Sequence, residues 1–173
     1  PDETIQHAGI VTGLGGYAGH SHKYKKKGGS GYLFRTSTVQ DFSGVTGACL
    51  LVKTAVYDEM HGLDEQFAVA FNDVDFCLRV RDAGYRIAWT PYAELIHYES
   101  KSRGGDEKDP VKAARFAAEQ QRLYTIHGKE NILDDPYYNP NLTRDREDFS
   151  ESDDLRRLKE GRVTVRFRGG TLQ

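Results

Sequence analysis

The chain has 173 residues, of which 38% are apolar, 11% aromatic and 29% charged. That mixture excludes a disordered or fibrous polypeptide and suits one domain or a large part of one. Its 24 basic and 26 acidic side chains leave a formal net charge of -2, which provides no global attraction to nucleic acid or an anionic membrane. No apolar run approaches the roughly 18–20 residues of a spanning helix.

Pro1 stands where a methionine opens a complete chain. Together with the motifs below, that start points to a portion excised from something longer. Residues 7–19 carry five glycines, so a short strand at Ile10–Thr12 is expected to open into a tightly turning loop. Gly13–Gly16 matches neither the dinucleotide fingerprint nor a Gly-Lys-Ser/Thr phosphate loop, which leaves a structural turn or a phosphate contact. The stretch from His20 to Lys27 is strongly basic and runs into Gly28, Gly29 and Gly31. It reads either as a solvated surface loop or as a lid that steers an anion. Residues 44–52 begin with small residues and continue as an apolar run typical of a buried strand. A short helix follows Thr54 as N-cap and stops at Gly62; residues 63–71 form a loop.

The apolar spacing predicts a helix over 73–83 with Gly84 as its stop, then a strand over 85–89 limited by Pro91 and another over 94–98. Asp109 and Pro110 make a helix start, N-cap followed by N1 proline. Ala113, Phe116, Ala117, Leu123 and Tyr124 form its apolar stripe, and Gly128 its end. Residues 134–154 read as an extended surface segment, and 163–167 as a late strand. Cys49 and Cys77 lie in apolar segments without metal-ligand spacing. They read as small core residues of a reducing compartment, with a disulfide formally open.

Two positions stand out chemically. Asp73, at a loop-to-helix boundary, is either a helix cap or a projecting carboxylate base. Asp75 lies two residues on, about 200 degrees around a helix, so the pair cannot easily hold one ion, and Asp75 reads as a surface acid. His97 ends an apolar stretch and precedes a polar loop, Ser100 to Arg103, able to meet phosphate oxygens. It is either satisfied by a backbone carbonyl or one ligand of a divalent ion. His7, His20, His22, His61 and His127 have weaker context. With neither a His-Glu-x-x-His nor a Cys-x-x-Cys unit, a self-contained zinc site is not expected.

The order and spacing of residues 44–52, 62–67, 71–85 (with Asn72-Asp73-Val74-Asp75), 95–98 and 134–142 resemble the family 2 glycosyltransferases of GT-A fold. The likeness is to their rhamnosyltransferase-like bacterial members, over roughly residues 7–145. It implies an α/β chain, with residues 1–133 as the acceptor-side portion of a GT-A domain, a mixed sheet flanked by helices. Residues 134–173 follow as an extended charged tail that packs on the domain or leaves it. By the same resemblance, Asp73 looks like the base that deprotonates an acceptor hydroxyl in an inverting displacement. Thr46, Gly47, Ala48 and Asn72 look like substrate contacts, and His97 like a ligand in a metal-diphosphate site carrying Mn2+ or Mg2+.

The implied partners are a nucleotide sugar and a glycan or lipid-linked acceptor, with no nucleic acid. The implied setting is cytoplasmic, with peripheral association at the inner face of the plasma membrane left open. Two departures qualify this. Asn72 stands where the family commonly has glutamate, and from Pro1 onward the sequence holds no strand-helix-strand nucleotide-binding half and no upstream aspartate motif. The isolated chain is therefore expected not to run the reaction alone. A noncatalytic carbohydrate-binding or assembly module is the alternative; a hydrolase fits less well, because no second carboxylate can be set opposite Asp73. Under the enzyme reading Asp73 and His97 should face one open cleft.

Overall fold

A computed structural model describes residues 3–98 and 109–152, and the backbone of 165–167 and 170–172. The polar loop expected at Ser100 to Arg103 lies outside the described residues. In chain order the elements are β1 (Ile10–Thr12), β2 (Ala18–His20), β3 (Gln40–Asp41), α1 (Thr54–Glu59), α2 (Asn72–Asp82), β4 (Ala88–Trp89), α3 (Pro110–His127), α4 (Lys129–Leu133), β5 (Val165–Phe167) and β6 (Gly170–Leu172). Helices and strands thus mix as an α/β chain does. The expected mixed sheet is a correction, because the described strands form three separate antiparallel pairs, β1–β2, β3–β4 and β5–β6. The physical reason for the first is the tight turn at Gly13–Tyr17, where Gly13 N donates to Tyr17 O at 3.0 Å. Such a turn returns the chain antiparallel, whereas a parallel partner needs a long crossover.

β1 has a period-2 division of labour. Ile10 packs with Phe67, Phe71, Val74, Leu78, Leu123 and Ile132, while Val11 on the other face joins Leu14, Phe42, Tyr138, Leu142 and Phe149. α2 divides in the same way at helical spacing. Val74 and Leu78, four residues apart, enter the first cluster, whereas Phe76, Cys77 and Val80 join Val45, Val56 and Ile87 in a third. A helix buried on two sides is the centre of the molecule. It ends where expected: Gly84 adopts φ +89, and the amides of Gly84 and Tyr85 return to Arg81 O and Val80 O, a left-handed closure that glycine enters without strain.

Several expectations need correction. The run at 44–52 is not a buried strand: Gly47–Cys49 form a 3₁₀ turn, and Leu51 is 99% exposed. Cys49 is exposed and Cys77 buried, with burial pushing the Cys77 thiol up to about 11. A thiol reagent should therefore modify Cys49 in the native chain and Cys77 only after denaturation. Equal rates at both sites would contradict this packing. No strand forms over 94–98, which runs exposed, and the strand expected over 85–89 shrinks to Ala88–Trp89.

α3 begins as its sequence dictates, with the Asp109 side chain accepting from Val111 N and Pro110 in the first turn. Its stripe is only partly used. Leu123 is fully buried and Phe116 meets the rings of Tyr17 and Phe71, but Ala113 and Ala117 are exposed.

The segment after α4 is not confined to the surface. Asp135, 2% exposed, accepts from Thr12 N at 2.7 Å and Thr12 Oγ1 at 3.2 Å. It thereby pins the chain to β1 and carries Tyr138, Leu142 and Phe149 into the second cluster. Further on, β5 lies within the expected late strand and pairs with β6.

Candidate functional site

Asp73 is the second residue of α2, in a first turn that also holds Asp75, with Arg79 and Arg81 in the last turn. That arrangement complements the helix dipole. The residue before the helix, Phe71, turns the chain in the left-handed region at φ 64 and provides no side-chain cap. The free amides at the helix start are instead met by the next two side chains. Asn72 Oδ1 accepts from Asp73 N at 2.7 Å, and Asp73 Oδ1 from Val74 N at 2.9 Å. The other Asp73 oxygen, Oδ2, accepts from Gly47 N at 2.8 Å. A Cβ added at Gly47 would lie 3.4 Å from Asp73 Cβ, so the 3₁₀ turn seats directly against the carboxylate.

The turn is itself shaped locally, with Thr46 Oγ1 accepting from Ala48 N at 3.3 Å. Asp73, Asn72, Thr46, Gly47 and Ala48, far apart in sequence, thus form one constellation. Two backbone amides occupy part of an ionised carboxylate's roughly four lone-pair sites, leaving room to accept one more proton or hydroxyl.

Behind the turn stands His7, whose context in the sequence was weak. Its Nε2 accepts from Gly9 N at 3.2 Å and Thr46 N at 3.3 Å. The ring proton is therefore on Nδ1, which meets His20 Nδ1 at 2.9 Å. Burial, reinforced by His20, pushes His7 down to about 3. His22 is buried as well, its Nε2 accepting from Tyr32 N at 3.1 Å and its Nδ1 paired with Ser21 Oγ at 2.7 Å. Burial and then the charges of Arg35 and Lys25 push it down to about 4.

Both histidines thus bind fewer protons folded than unfolded, so stability present above the ordinary value of about 6.5 falls as the pH drops toward the folded values. Denaturant unfolding between pH 7 and pH 4 is expected to lose up to about 1.4 kcal/mol per pH unit for each histidine. A flat profile over that range would contradict their neutral burial.

Asp75 is the second residue whose role the structure redefines. Read as a surface acid, it is 1% exposed. Its Oδ2 accepts from Arg79 Nε and Nη2 at 2.9 and 2.8 Å, and its Oδ1 meets His127 Nε2 at 2.8 Å. Arg79 also donates to Met60 O and Gly62 O. Burial disfavours the charged form, but His127 and Arg79 outweigh it and hold the Asp75 carboxyl below the usual carboxylate range. The Asp75 to Arg79 spacing of four residues was the available signal; nothing in the sequence pointed to His127.

His97 is exposed in the 92–98 stretch, and no hydrogen bond or ion pair ties it to Asp73 or to the Thr46–Ala48 turn. Two cavities among the described residues, of about 360 and 520 Å³, are lined by neither Asp73 nor His97. Among the described residues, no three His, Cys, Asp or Glu side chains are grouped as a metal ion requires. Calorimetry of Pro1–Gln173 with a nucleoside diphosphate is expected to show no gain in affinity on adding manganese. A tight, manganese-dependent isotherm would overturn that.

Among the described residues no helix is long and apolar enough to cross a membrane. No family model and no solved structure matches the chain. It is 49% identical over 150 residues to an uncharacterised protein, y4gI, of Sinorhizobium fredii, covering 86% of this chain and 16% of that protein. It is 35% identical over 144 residues to the O-antigen biosynthesis protein RfbC of Myxococcus xanthus, covering 83% of this chain and 11% of that one. Over 80 residues it is 32% identical to an N-acetylglucosaminyl-diphospho-decaprenol L-rhamnosyltransferase of Mycobacterium tuberculosis, covering 46% of this chain and 24% of that enzyme. The chain thus spans between 11% and 24% of the length of these relatives.

Proposed function

We propose that this chain is the acceptor-side portion of a GT-A glycosyltransferase of family 2. In the longer protein it would help transfer a hexose or deoxyhexose from a nucleotide sugar to a glycan or lipid-linked acceptor. The observation that carries this reading is the placement of Asp73, whose carboxylate is held by Val74 N and Gly47 N between α2 and a turn of small residues. Relatives named for O-antigen biosynthesis and rhamnosyl transfer support it.

In the proposed step Asp73 takes the proton of an acceptor hydroxyl as that oxygen bonds to the anomeric carbon. The bond from that carbon to the nucleotide's diphosphate oxygen breaks, and the diphosphate leaves with the electron pair, inverting the centre. Thr46, Gly47 and Ala48 provide a low wall beside the base, and Asn72 holds the amide of Asp73 so that the carboxylate keeps its direction.

The test is incorporation of labelled sugar from a panel of nucleotide sugars into lipid-linked or polymeric glycan by the longer protein. No incorporation from any donor would sink the reading. A noncatalytic carbohydrate-binding or assembly module is the second reading, favoured by one observation: both Asp73 oxygens already cap backbone amides.

A further inference from the structure

The basic glycine-rich segment after β2, which the reading above leaves without a role, closes over a cavity of about 360 Å³. That volume lies within the range of small-molecule sites, roughly 300–1,000 Å³. One wall is aromatic: Phe149 stacks on His22 at 4.3 Å and on Tyr32 at 5.3 Å. The loop is moulded onto this wall. Gly31 adopts φ +66, and a Cβ there would fall 2.6 Å from His22 Nε2, so only glycine lets the chain pass over the ring and place Tyr32 N on that nitrogen. With both ring nitrogens engaged and its basicity depressed, His22 is a neutral part of the wall.

The charge in the cavity comes from elsewhere. Lys25 and Lys26 line it, and neither makes an ion pair among the described residues. Lys27, the next residue, is bound to Glu94 and does not line the cavity. One acid, Asp148, also faces in, but its carboxylate already accepts from Ser150 N, Ser150 Oγ and Arg146 Nε. Of the glycine-rich turn, Gly29 and Gly31 line the cavity, and their amides donate no hydrogen bond among the described residues. Two ammonium groups without an ion pair among the described residues, set beside a glycine-rich turn at a concave surface, suit an anion.

We propose that this cavity binds a phosphoryl group, as a phosphomonoester or a diphosphate, with the organic body it carries laid against the Phe149 wall. Two ammonium charges match the roughly two negative charges of a phosphoryl group near pH 7, which a carboxylate does not offer. Binding needs no metal and weakens with salt. The phosphoryl recognition stands on the cavity alone. The proposed function enters only for the ligand's source, either a soluble sugar phosphate or the diphosphate of a lipid-linked glycan.

The experiment titrates Pro1–Gln173, without metal, with inorganic pyrophosphate and with a hexose 1-phosphate, following backbone amide resonances. Expected are shifts confined to residues 22–36 and the neighbourhood of Phe149. Affinity should fall about tenfold or more in Lys25→Ala/Lys26→Ala and be retained in Lys25→Arg/Lys26→Arg, while Lys27→Ala stays within about twofold. Lys27→Ala removes one positive charge just outside the cavity, where the double variant removes two within it, and separates a site from a generally basic surface.

Flotation with phosphatidylcholine vesicles bearing a polyprenyl diphosphate identifies the lipid-linked source. Binding of the hexose phosphate without flotation identifies the soluble one, and either result supports phosphoryl recognition. The proposal is overturned by an absence of binding, by equal weakening in Lys27→Ala, or by equal flotation with phosphatidylglycerol vesicles. None of these readouts requires sugar transfer, so a failed transfer assay leaves this result intact, and the reverse.

Discussion

Asp73→Asn in the longer protein is expected to lower kcat for sugar transfer by about 10²- to 10⁴-fold while leaving the affinity for the nucleotide sugar within about threefold. Asparagine keeps the shape of the side chain but cannot take up the acceptor's proton. The substitution also carries a structural effect that must be measured beside it. Asp73 accepts from Val74 N with one oxygen and from Gly47 N with the other, whereas asparagine has a single acceptor oxygen and its amide group must face one of those N–H donors. A loss of about 1–2 kcal/mol of stability is expected on that ground alone.

The two roles separate cleanly. If Asp73 is only a helix cap, the variant loses stability and kcat stays within about threefold where chemistry limits the rate. If it is the base, turnover collapses under conditions in which the variant is fully folded. The measurement pairs denaturant unfolding with single-turnover transfer.

Asp75→Ala is expected to lower the unfolding free energy by about 3–5 kcal/mol, the range for breaking a buried charge pair from one side. The carboxylate joins three parts of the chain: α2 through Arg79, the end of α1 through Arg79's bonds to Met60 O and Gly62 O, and the last residue of α3 through His127. Removing it strands the Arg79 charge and an imidazole that is 6% exposed. Because the folded carboxyl lies below the usual range, its contribution is complete above about pH 4 and is lost as the pH falls through the lower folded value. The wild-type and variant curves should therefore converge in acid. A loss below about 1 kcal/mol at pH 7 would show that the hub does not hold the helices together.

These predictions mark where the amino-acid sequence was legible. α2 and α3 could be read to within a residue or two, because their boundaries are set locally. Asp109, Pro110 and Gly128 act through backbone geometry that needs no distant partner, and Gly84 ends α2 by entering a conformation other residues avoid. The tight turn after Ile10–Thr12 follows from glycine in the same way. Asp73 at a helix start was legible too, since an acid at a loop-to-helix boundary has free amides to meet wherever it occurs.

What pattern could not supply was the partner across space. Residues 44–52 carry the composition of a buried strand, yet the described structure makes a 3₁₀ turn there, because Asp73 and His7 take the Gly47 and Thr46 amides a strand ladder would have used. Asp75 and Asp135 looked like surface acids because a carboxylate's burial depends on donors that only packing delivers, His127 in one case and Thr12 in the other. Likewise, charge spacing showed a basic loop but not that His22, Tyr32 and Phe149 stand beneath it as a wall. Local propensity and capping act within a few residues and are written in order along the chain. The charge network, the setting of Asp73 against Gly47 and the cavity under Lys25 and Lys26 join residues more than twenty positions apart, and the core's packing alone brings them within hydrogen-bonding or van der Waals reach.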